Sequence, residues 1–116
     1  MKKKYKTLSK KLILGTANLG KYKYGINEYK ISNDNKKKIL KYAIKNEITC
    51  FDTANTYGSE KNLDFKNIRV FTKIKPIKKN LEFKKKKELV SFIESSIKSS
   101  LKKLKINSIY CLLIHK

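Results

Sequence analysis

The sequence contains few of the residues that crosslink, bend or ligate in small proteins. Among its 116 residues there are two cysteines, one proline, one histidine and no tryptophan. Cys50 and Cys111 each lie inside an apolar run without the spacing of a disulfide framework or a metal site, so we expect two reduced core residues and no bound metal. No apolar run is long enough to cross a bilayer, and the lysine-rich start lacks the apolar stretch of a signal peptide. We therefore expect a cytoplasmic protein with no membrane partner.

Acidic residues and arginine are scarce as well. Nine Asp and Glu residues stand against 30 Lys and Arg residues, which gives a formal net charge of +21, and Arg69 is the only arginine. Such a charge usually indicates a nucleic-acid or acidic-membrane partner, but recognition of base edges and phosphates favours arginine over lysine. We interpret the lysine runs at 2–4, 36–38 and 84–87 as solvated surfaces and expect no specific nucleic-acid partner. A non-catalytic basic module that binds polyanions is the alternative function.

Short apolar runs alternate with segments of helical periodicity along the chain. The predicted strands are 12–14, 48–51, 68–74 and 108–115, and the predicted helices are 34–46 and 88–104. The segment Ser32-Asn33-Asp34 provides N-cap chemistry before the first helix, Pro76 ends the third strand, and the lysine-rich stretch 78–87 is interpreted as a loop. The alternation predicts an α/β fold with parallel strands, in which residues 1–11 are a basic tail and residues 12–116 form the domain.

Each predicted helix has one apolar face. These faces are formed by Ile39, Leu40, Ala43 and Ile44 in the first helix, and by Leu89, Phe92, Ile93, Ile97, Leu101 and Leu104 in the second. The connection at 61–66 has room for only one or two helical turns, whereas a parallel crossover usually takes a dozen or more residues. We therefore expect an unusual link between the second and third strands.

Four polar side chains stand at or just past the ends of predicted strands: Asp52, Tyr57, Lys73 and His115. The carboxyl ends of parallel strands meet at one edge of a sheet, where barrel enzymes carry their catalytic groups. Because a buried carboxylate without a partner is strongly destabilising, Asp52 requires a compensating group, and Lys73 is the candidate. Taken singly, each residue has a simpler interpretation, such as a turn cap for Asp52 or a solvent-facing ring for His115. Their joint placement favours a catalytic site.

The residues around these side chains resemble the signature motifs of the aldo-keto reductase family. The similar segments are Phe-Asp-Thr-Ala-x-x-Tyr-Gly-Ser-Glu at 51–60, Phe-Thr-Lys at 71–73, Leu-Leu-Ile-His at 112–115, and the strand and loop at 12–20. The resemblance implies a TIM (β/α)8 barrel and an oxidoreductase that transfers hydride between NADP(H) and a small carbonyl or alcohol substrate. Since a closed barrel takes about 250 residues, we expect the first half of a barrel, which is incomplete.

The resemblance also implies a role for each polar residue. Tyr57 is expected to donate the proton, Lys73 and Asp52 to tune it, and His115 to orient the substrate carbonyl. A free tyrosine, with a pKa of about 10, is a poor acid at neutral pH, and a nearby ammonium makes proton donation easier. The residues expected to bind the cofactor beside its nicotinamide are Gly15, Thr16 and Asp52.

The resemblance extends along nearly the whole chain but reaches only about half of the family's fold. In the family, the groups that clasp the adenosine phosphates and stack on the nicotinamide come mainly from later strands. We therefore expect the chain alone to bind NADPH weakly or not at all and to be inactive, unless a second polypeptide completes the barrel. A non-functional gene product that aggregates through an open sheet edge is a further alternative.

Overall fold

The fold is built on one sheet of four parallel strands. The computed structural model describes residues 9–20, 30–61, 65–77, 82–83 and 85–115. The strands lie side by side in chain order and are β1 (Ile13–Gly15), β2 (Cys50–Asp52), β3 (Arg69–Lys73) and β4 (Cys111–Leu113). The helices are α1 (Asn33–Lys45), α2 (Lys86–Leu104) and a single 3-10 turn at Ala17–Leu19. The predicted α/β class with parallel strands is confirmed.

Three of the four strands are shorter than the apolar runs that predicted them, and β1 has the predicted length. β4 has three residues, so the prediction of a strand over 108–115 overestimates it. The predicted loop over 78–87 is wrong at its end, because α2 already begins at Lys86 and lysine is a good helix former. Residues 78–81 and 84 of that loop, and residues 1–8 of the predicted tail, lie outside the described residues.

Helix α1 begins within the segment that was predicted to cap it, with Ser32 as the cap residue. The Asn35 N–H donates to Ser32 Oγ at 3.3 Å, which satisfies one of the N–H groups that the first turn leaves unpaired. Leu40 is buried as predicted, but the placement of Ile39 and Ile44 on the buried face is wrong, because they are 37% and 45% exposed. The apolar face drawn from the sequence is therefore too wide.

The buried line of α1 runs instead through Lys36, Leu40 and Ala43, which lie at i, i+4 and i+7 on one side of the helix. Lys36 is only 4% exposed, and its Nζ donates to the Gly20 carbonyl oxygen at 2.9 Å. The interpretation of 36–38 as a solvated surface is therefore wrong for Lys36, because its ammonium finds an acceptor at the end of the 3-10 turn.

Helix α2 turns a polar line towards the rest of the fold. Of its predicted apolar face, Leu104 is fully buried and the other members are half-buried. The side chains buried as deeply as Leu104 are Ser96 and Ser100. Ser96 Oγ accepts from the Lys75 N–H at 2.7 Å, and Ser100 Oγ donates to Glu60 Oε2 at 3.3 Å. Hydropathy alone does not predict this line, because each serine is buried through a specific polar partner.

The apolar core lies between the sheet and the helices. Phe51 and Phe65 are fully buried, and their ring centroids are 6.0 Å apart in the T-shaped arrangement that aromatic pairs favour. Phe65 belongs to the short link between β2 and β3, where no helix occurs among the described residues. The buried cluster consists of Leu19, Leu40, Ala43, Phe51, Phe65, Val70 and Leu104.

Alternation along the strands gives the sheet two different faces. Leu14 pairs with Phe51, and Phe51 pairs with Val70, so these residues form one row, which packs on the helices. Because successive side chains point to opposite sides, Asp52, Phe71 and Lys73 belong to the other side. We call the side of Leu14, Phe51 and Val70 the helix face, and the side of Asp52, Phe71 and Lys73 the open face.

Candidate active site

Strands β2 and β3 each end in a charged residue of the open face. Asp52 ends β2 and Lys73 ends β3, so the parallel pairing brings both to the same edge of the sheet. Lys73 Nζ lies 2.8 Å from Asp52 Oδ1 and 2.9 Å from Oδ2, and it donates to the Thr53 carbonyl oxygen at 3.0 Å. The ammonium thus has three acceptors, and the carboxylate has the charged partner that its partial burial requires.

The charge of Lys73 is maintained despite its burial. Burial lowers the pKa of the ammonium, but hydrogen bonding and electrostatic attraction to Asp52, with a smaller contribution from Tyr57, raise the pKa above its ordinary value of 10.5. Lys73 is therefore protonated at neutral pH. A fixed ammonium at this position favours the anionic form of a neighbouring acid.

Tyr57 and His115 lie beside this ion pair. Lys73 Nζ is 5.2 Å from the centroid of the Tyr57 ring. The Tyr57 and His115 ring centroids are 6.0 Å apart, and the rings are nearly perpendicular at 84°. Thr56 Oγ1 lies 3.4 Å from His115 Nδ1, so the loop that carries Tyr57 also contacts the histidine. The structure brings together all four residues that the sequence predicts as catalytic, while their individual roles stay predictions.

The two predicted cofactor-binding residues at the end of β1 have different surroundings. Thr16 is fully buried, and its Oγ1 donates to the Asp52 carbonyl oxygen at 3.0 Å and lies 3.3 Å from Ser59 Oγ. Its hydroxyl therefore holds the ends of β1 and β2 together. Among the described residues, nothing lies within 4 Å of a Cβ added at Gly15, so in this part of the chain the position borders open space. That either residue borders a nicotinamide stays a prediction.

The sequence matches one known family along almost its whole length. The model of the Aldo/keto reductase family covers residues 11–116. The chain belongs to the aldo-keto reductase family. This match confirms the resemblance read from the motifs at 51–60, 71–73 and 112–115.

Two solved structures have the fold of this aldo-keto reductase chain. Both come from Pseudomonas aeruginosa and are provisionally assigned as aldo-keto reductases; each is 22% identical to this chain, with TM-scores of 0.68 and 0.66. The matches cover 90% of this chain in both cases but only 42% and 40% of the other chains. The chain thus spans less than half the length of these neighbours, and the prediction of an incomplete barrel is confirmed. A search of curated proteins finds no match.

The two cysteines of this aldo-keto reductase chain are free thiols in the sheet, Cys50 buried and Cys111 half-buried. Within the described ranges, no group of three or more His, Cys, Asp or Glu residues is placed to hold a metal ion. In the same part of the chain, the helices are too short or too polar to cross a membrane.

The loop at 53–60 follows β2 and carries Tyr57, and we call it the Tyr57 loop. Gly20 supports this loop through a contact that the sequence did not predict. A Cβ added at Gly20 would overlap the Tyr57 carbonyl oxygen, so glycine allows the loop after β1 to approach the loop after β2 this closely. Lys36 gives Gly20 a second contact by donating to its carbonyl oxygen. The sequence showed Gly20 as part of the family motif at 12–20. It did not indicate which backbone group Gly20 would contact.

Buried hydroxyl groups and one carboxylate lie behind the Tyr57 loop. Thr53 Oγ1 lies 3.0 Å from Ser59 Oγ, and Thr72 Oγ1 donates to Glu60 Oε1 at 2.8 Å. These four side chains are fully buried, and three of them flank Tyr57 within the motif at 51–60. The sequence showed Ser59 and Glu60 as part of a family motif, but it did not reveal what they bind.

Proposed function

We propose that the chain provides the proton-donating part of an aldo-keto reductase site, which transfers hydride between NADP(H) and a small carbonyl or alcohol substrate. The observation that carries the proposal is that Asp52, Lys73, Tyr57 and His115 are grouped at the carboxyl ends of the strands. A lysine or a tyrosine alone means little in this chain. Together the four side chains bring a phenol, an ammonium, a carboxylate and an imidazole into one group.

Tyr57 is the proton donor of the proposed site. Reduction of a carbonyl produces an alkoxide that must take a proton as the hydride arrives. When Tyr57 gives up its proton, it becomes a phenolate beside the Lys73 ammonium, whose charge stabilises it. Asp52 holds that ammonium through both carboxylate oxygens, so the charge is already in place when the phenolate forms.

His115 and the surface beside Gly15 orient the other participants. NADP(H), when bound, supplies the hydride. The open space next to Gly15 lies beside Asp52, its partner across β1 and β2, and leaves room for a ring to approach the ion pair. His115 adjoins Tyr57, so a hydrogen bond from its imidazole would hold a substrate carbonyl oxygen near the phenol.

The proposed site is completed by further strands. β1 and β4 are the outer strands of the sheet, and apolar side chains are exposed along both, with Leu12 and Ile13 at one edge and Leu113 and Ile114 at the other. An outer strand offers unpaired backbone groups to another chain. We infer that a second polypeptide pairs with these edges and brings the remaining cofactor contacts.

A groove beside β1 supports the same inference. It has a volume of about 420 Å³ and is lined by Leu14, Lys38, Ile39, Tyr42, Ala43 and Ile48. Ile39 and Tyr42 are exposed on this side of α1. Apolar side chains of the completing polypeptide would remove these two residues from water, which is favourable.

The proposal is tested by purifying the tagged chain from its source cells and measuring NADPH oxidation with a panel of small aldehydes. We expect reduction in preparations that retain a completing polypeptide, and no saturable NADPH binding by the chain purified alone. Tyr57→Phe should abolish reduction while the completed complex still binds NADPH, because only the proton donor is lost. Tyr5→Phe, in the predicted tail, is the matched control. Reduction that survives in Tyr57→Phe would contradict the assignment.

A further inference from the structure

Glu60 is a buried carboxylate to which the proposed chemistry gives no role. It is 1% exposed. Its Oε1 accepts from Thr72 Oγ1 at 2.8 Å, and its Oε2 accepts from Ser100 Oγ at 3.3 Å. Both oxygens therefore have a partner, and the two partners belong to different elements, β3 and α2.

The positions of these partners connect Glu60 to the candidate active site. Thr72 directly precedes Lys73 in β3, and Glu60 follows Tyr57 by three residues. One carboxylate thus joins the strand that carries the ammonium to the loop that carries the phenol. Its third connection, to Ser100, fastens both of them to α2.

Helix α2 also holds the part of the Tyr57 loop that precedes Tyr57. Asn55 Nδ2 donates to Ser100 Oγ at 3.2 Å and to Ser99 Oγ at 3.3 Å. Lys103 Nζ donates to Asn55 Oδ1 at 2.7 Å. Since Asn55 precedes Tyr57 and Glu60 follows it, the loop is fixed to α2 at two points with Tyr57 between them.

The burial of Glu60 is unfavourable by itself. Burial raises the pKa of its carboxyl above the ordinary value of 4.5, although hydrogen bonds from Thr72 and Ser100 and the charge of Lys103 act in the opposite direction. An apolar side chain would fill such a place without the desolvation of a carboxyl group. What it would not provide is two directed hydrogen bonds to two separate elements.

We propose that Glu60 is a positioning residue, which sets the location of Tyr57 relative to Lys73 and His115 by tying the Tyr57 loop to β3 and α2. Its importance for catalysis rests on the proposed function, whereas its effect on the geometry does not. Removal of the carboxyl group leaves Thr72 and Ser100 without their acceptor and releases the loop at one of its two attachment points. Glutamine keeps an oxygen and a polar nitrogen in the same place and preserves most of the tie.

The test is nuclear magnetic resonance of the full chain with labelled tyrosine and histidine. His115 is the only histidine in the sequence, so its ring signals need no assignment, and Tyr57→Phe identifies the Tyr57 signals. We expect a Tyr57–His115 cross-peak in the unmodified chain, from rings whose centroids are 6.0 Å apart. Glu60→Ala should lose the cross-peak and move the Tyr57 signals, and Glu60→Gln should restore both. Glu94→Ala, at an exposed glutamate of α2, is the matched control and should leave them unchanged.

An unchanged cross-peak in a folded Glu60→Ala chain would overturn the proposal, as would equal losses in Glu94→Ala. If Glu60→Ala does not fold, Ser100→Ala replaces it, because this change removes one hydrogen bond to Glu60 and one from Asn55. A Tyr57–His115 cross-peak unaffected by Ser100→Ala would then overturn the proposal in the same way. None of these measurements needs turnover. If preparations that retain a completing polypeptide show no reductase activity, while Glu60→Ala still loses the cross-peak, only the proposed function is contradicted.

Discussion

The two faces of the sheet differ in what covers them and in what they do. On the helix face, Phe51, Val70 and Thr72 are fully buried. On the open face, Ile13 is 50% exposed, and Phe71 and Lys73 are only half-buried. The same short strands supply both faces, and only the alternation of side chains separates them. The difference teaches that one face holds the described fold together and the other carries the candidate chemistry.

The helix face stabilises the fold through burial of apolar side chains. This burial contributes about 25 cal/mol of free energy per Å² of apolar surface removed from water. The open face has an ion pair at its edge, in which the Asp52 side chain is 34% exposed. Partly solvated pairs of this kind contribute about 1 kcal/mol or less. Substitutions on the helix face should therefore mainly lower the free energy of unfolding, and substitutions on the open face should mainly change the geometry of the candidate site.

Truncation of Phe51 should have the largest effect. Phe51→Ala removes a fully buried ring and its contact with Phe65, and we expect a loss of about 3–5 kcal/mol in the free energy of unfolding, measured by urea denaturation. Phe71→Ala is the control on the open face. The Phe71 ring is half-buried, and its centroid lies 5.4 Å from the centroid of the Tyr110 ring. Equal losses in the two variants would show that the faces do not differ in this way.

A methyl group at Gly20 should have the next largest effect. Gly20→Ala places its Cβ against the Tyr57 carbonyl oxygen, so the loop must move, and we expect a loss of about 1–3 kcal/mol with displaced Tyr57 ring signals. Gly15→Ala is the matched control for stability, because its Cβ would have no described residue within 4 Å. If both variants unfolded at the same urea concentration, the close approach of the two loops would be refuted.

The protonation of Glu60 should have the smallest effect, visible only as a dependence on pH. The folded-state pKa of its carboxyl lies above 4.5, mainly because of burial, so the folded chain retains this proton at pH values where the unfolded chain has lost it. Stability therefore falls as the pH rises from 4.5 through the folded-state pKa. Glu60→Gln lacks this proton, and its stability relative to the unmodified chain should rise across the same window in urea titrations.

Glu94→Gln, at an exposed position of α2, is the control for that titration. A stability difference between Glu60→Gln and the unmodified chain that is constant with pH, or that changes in the opposite direction, would contradict the raised pKa.

The sequence predicted the parts of the fold that depend on local patterns. One such part is the parallel pairing of β2 and β3, which brings Asp52 and Lys73 together. It could be predicted because each of these strands ends in a short motif. A cap within residues 32–34 could be predicted for the same reason, since Ser32 and its partner Asn35 are only three residues apart.

The rest depends on partners that are distant in the sequence. Lys36 is buried because the Gly20 carbonyl accepts from it, and Ser100 is buried because Glu60 accepts from it. Hydropathy assigns a lysine and a serine to the surface, and only the tertiary contacts reverse that assignment.

The polar line of α2 has a mechanical consequence. Ser96 holds the backbone two residues beyond Lys73, and Ser100 holds Glu60, which follows Tyr57 closely in the chain. Tyr57 and Lys73 therefore lie in segments that are both hydrogen-bonded to α2. Because one helix holds both segments, we expect a displacement of α2 to carry the Tyr57 phenol and the Lys73 ammonium in the same direction and to change the distance between them less than the position of either.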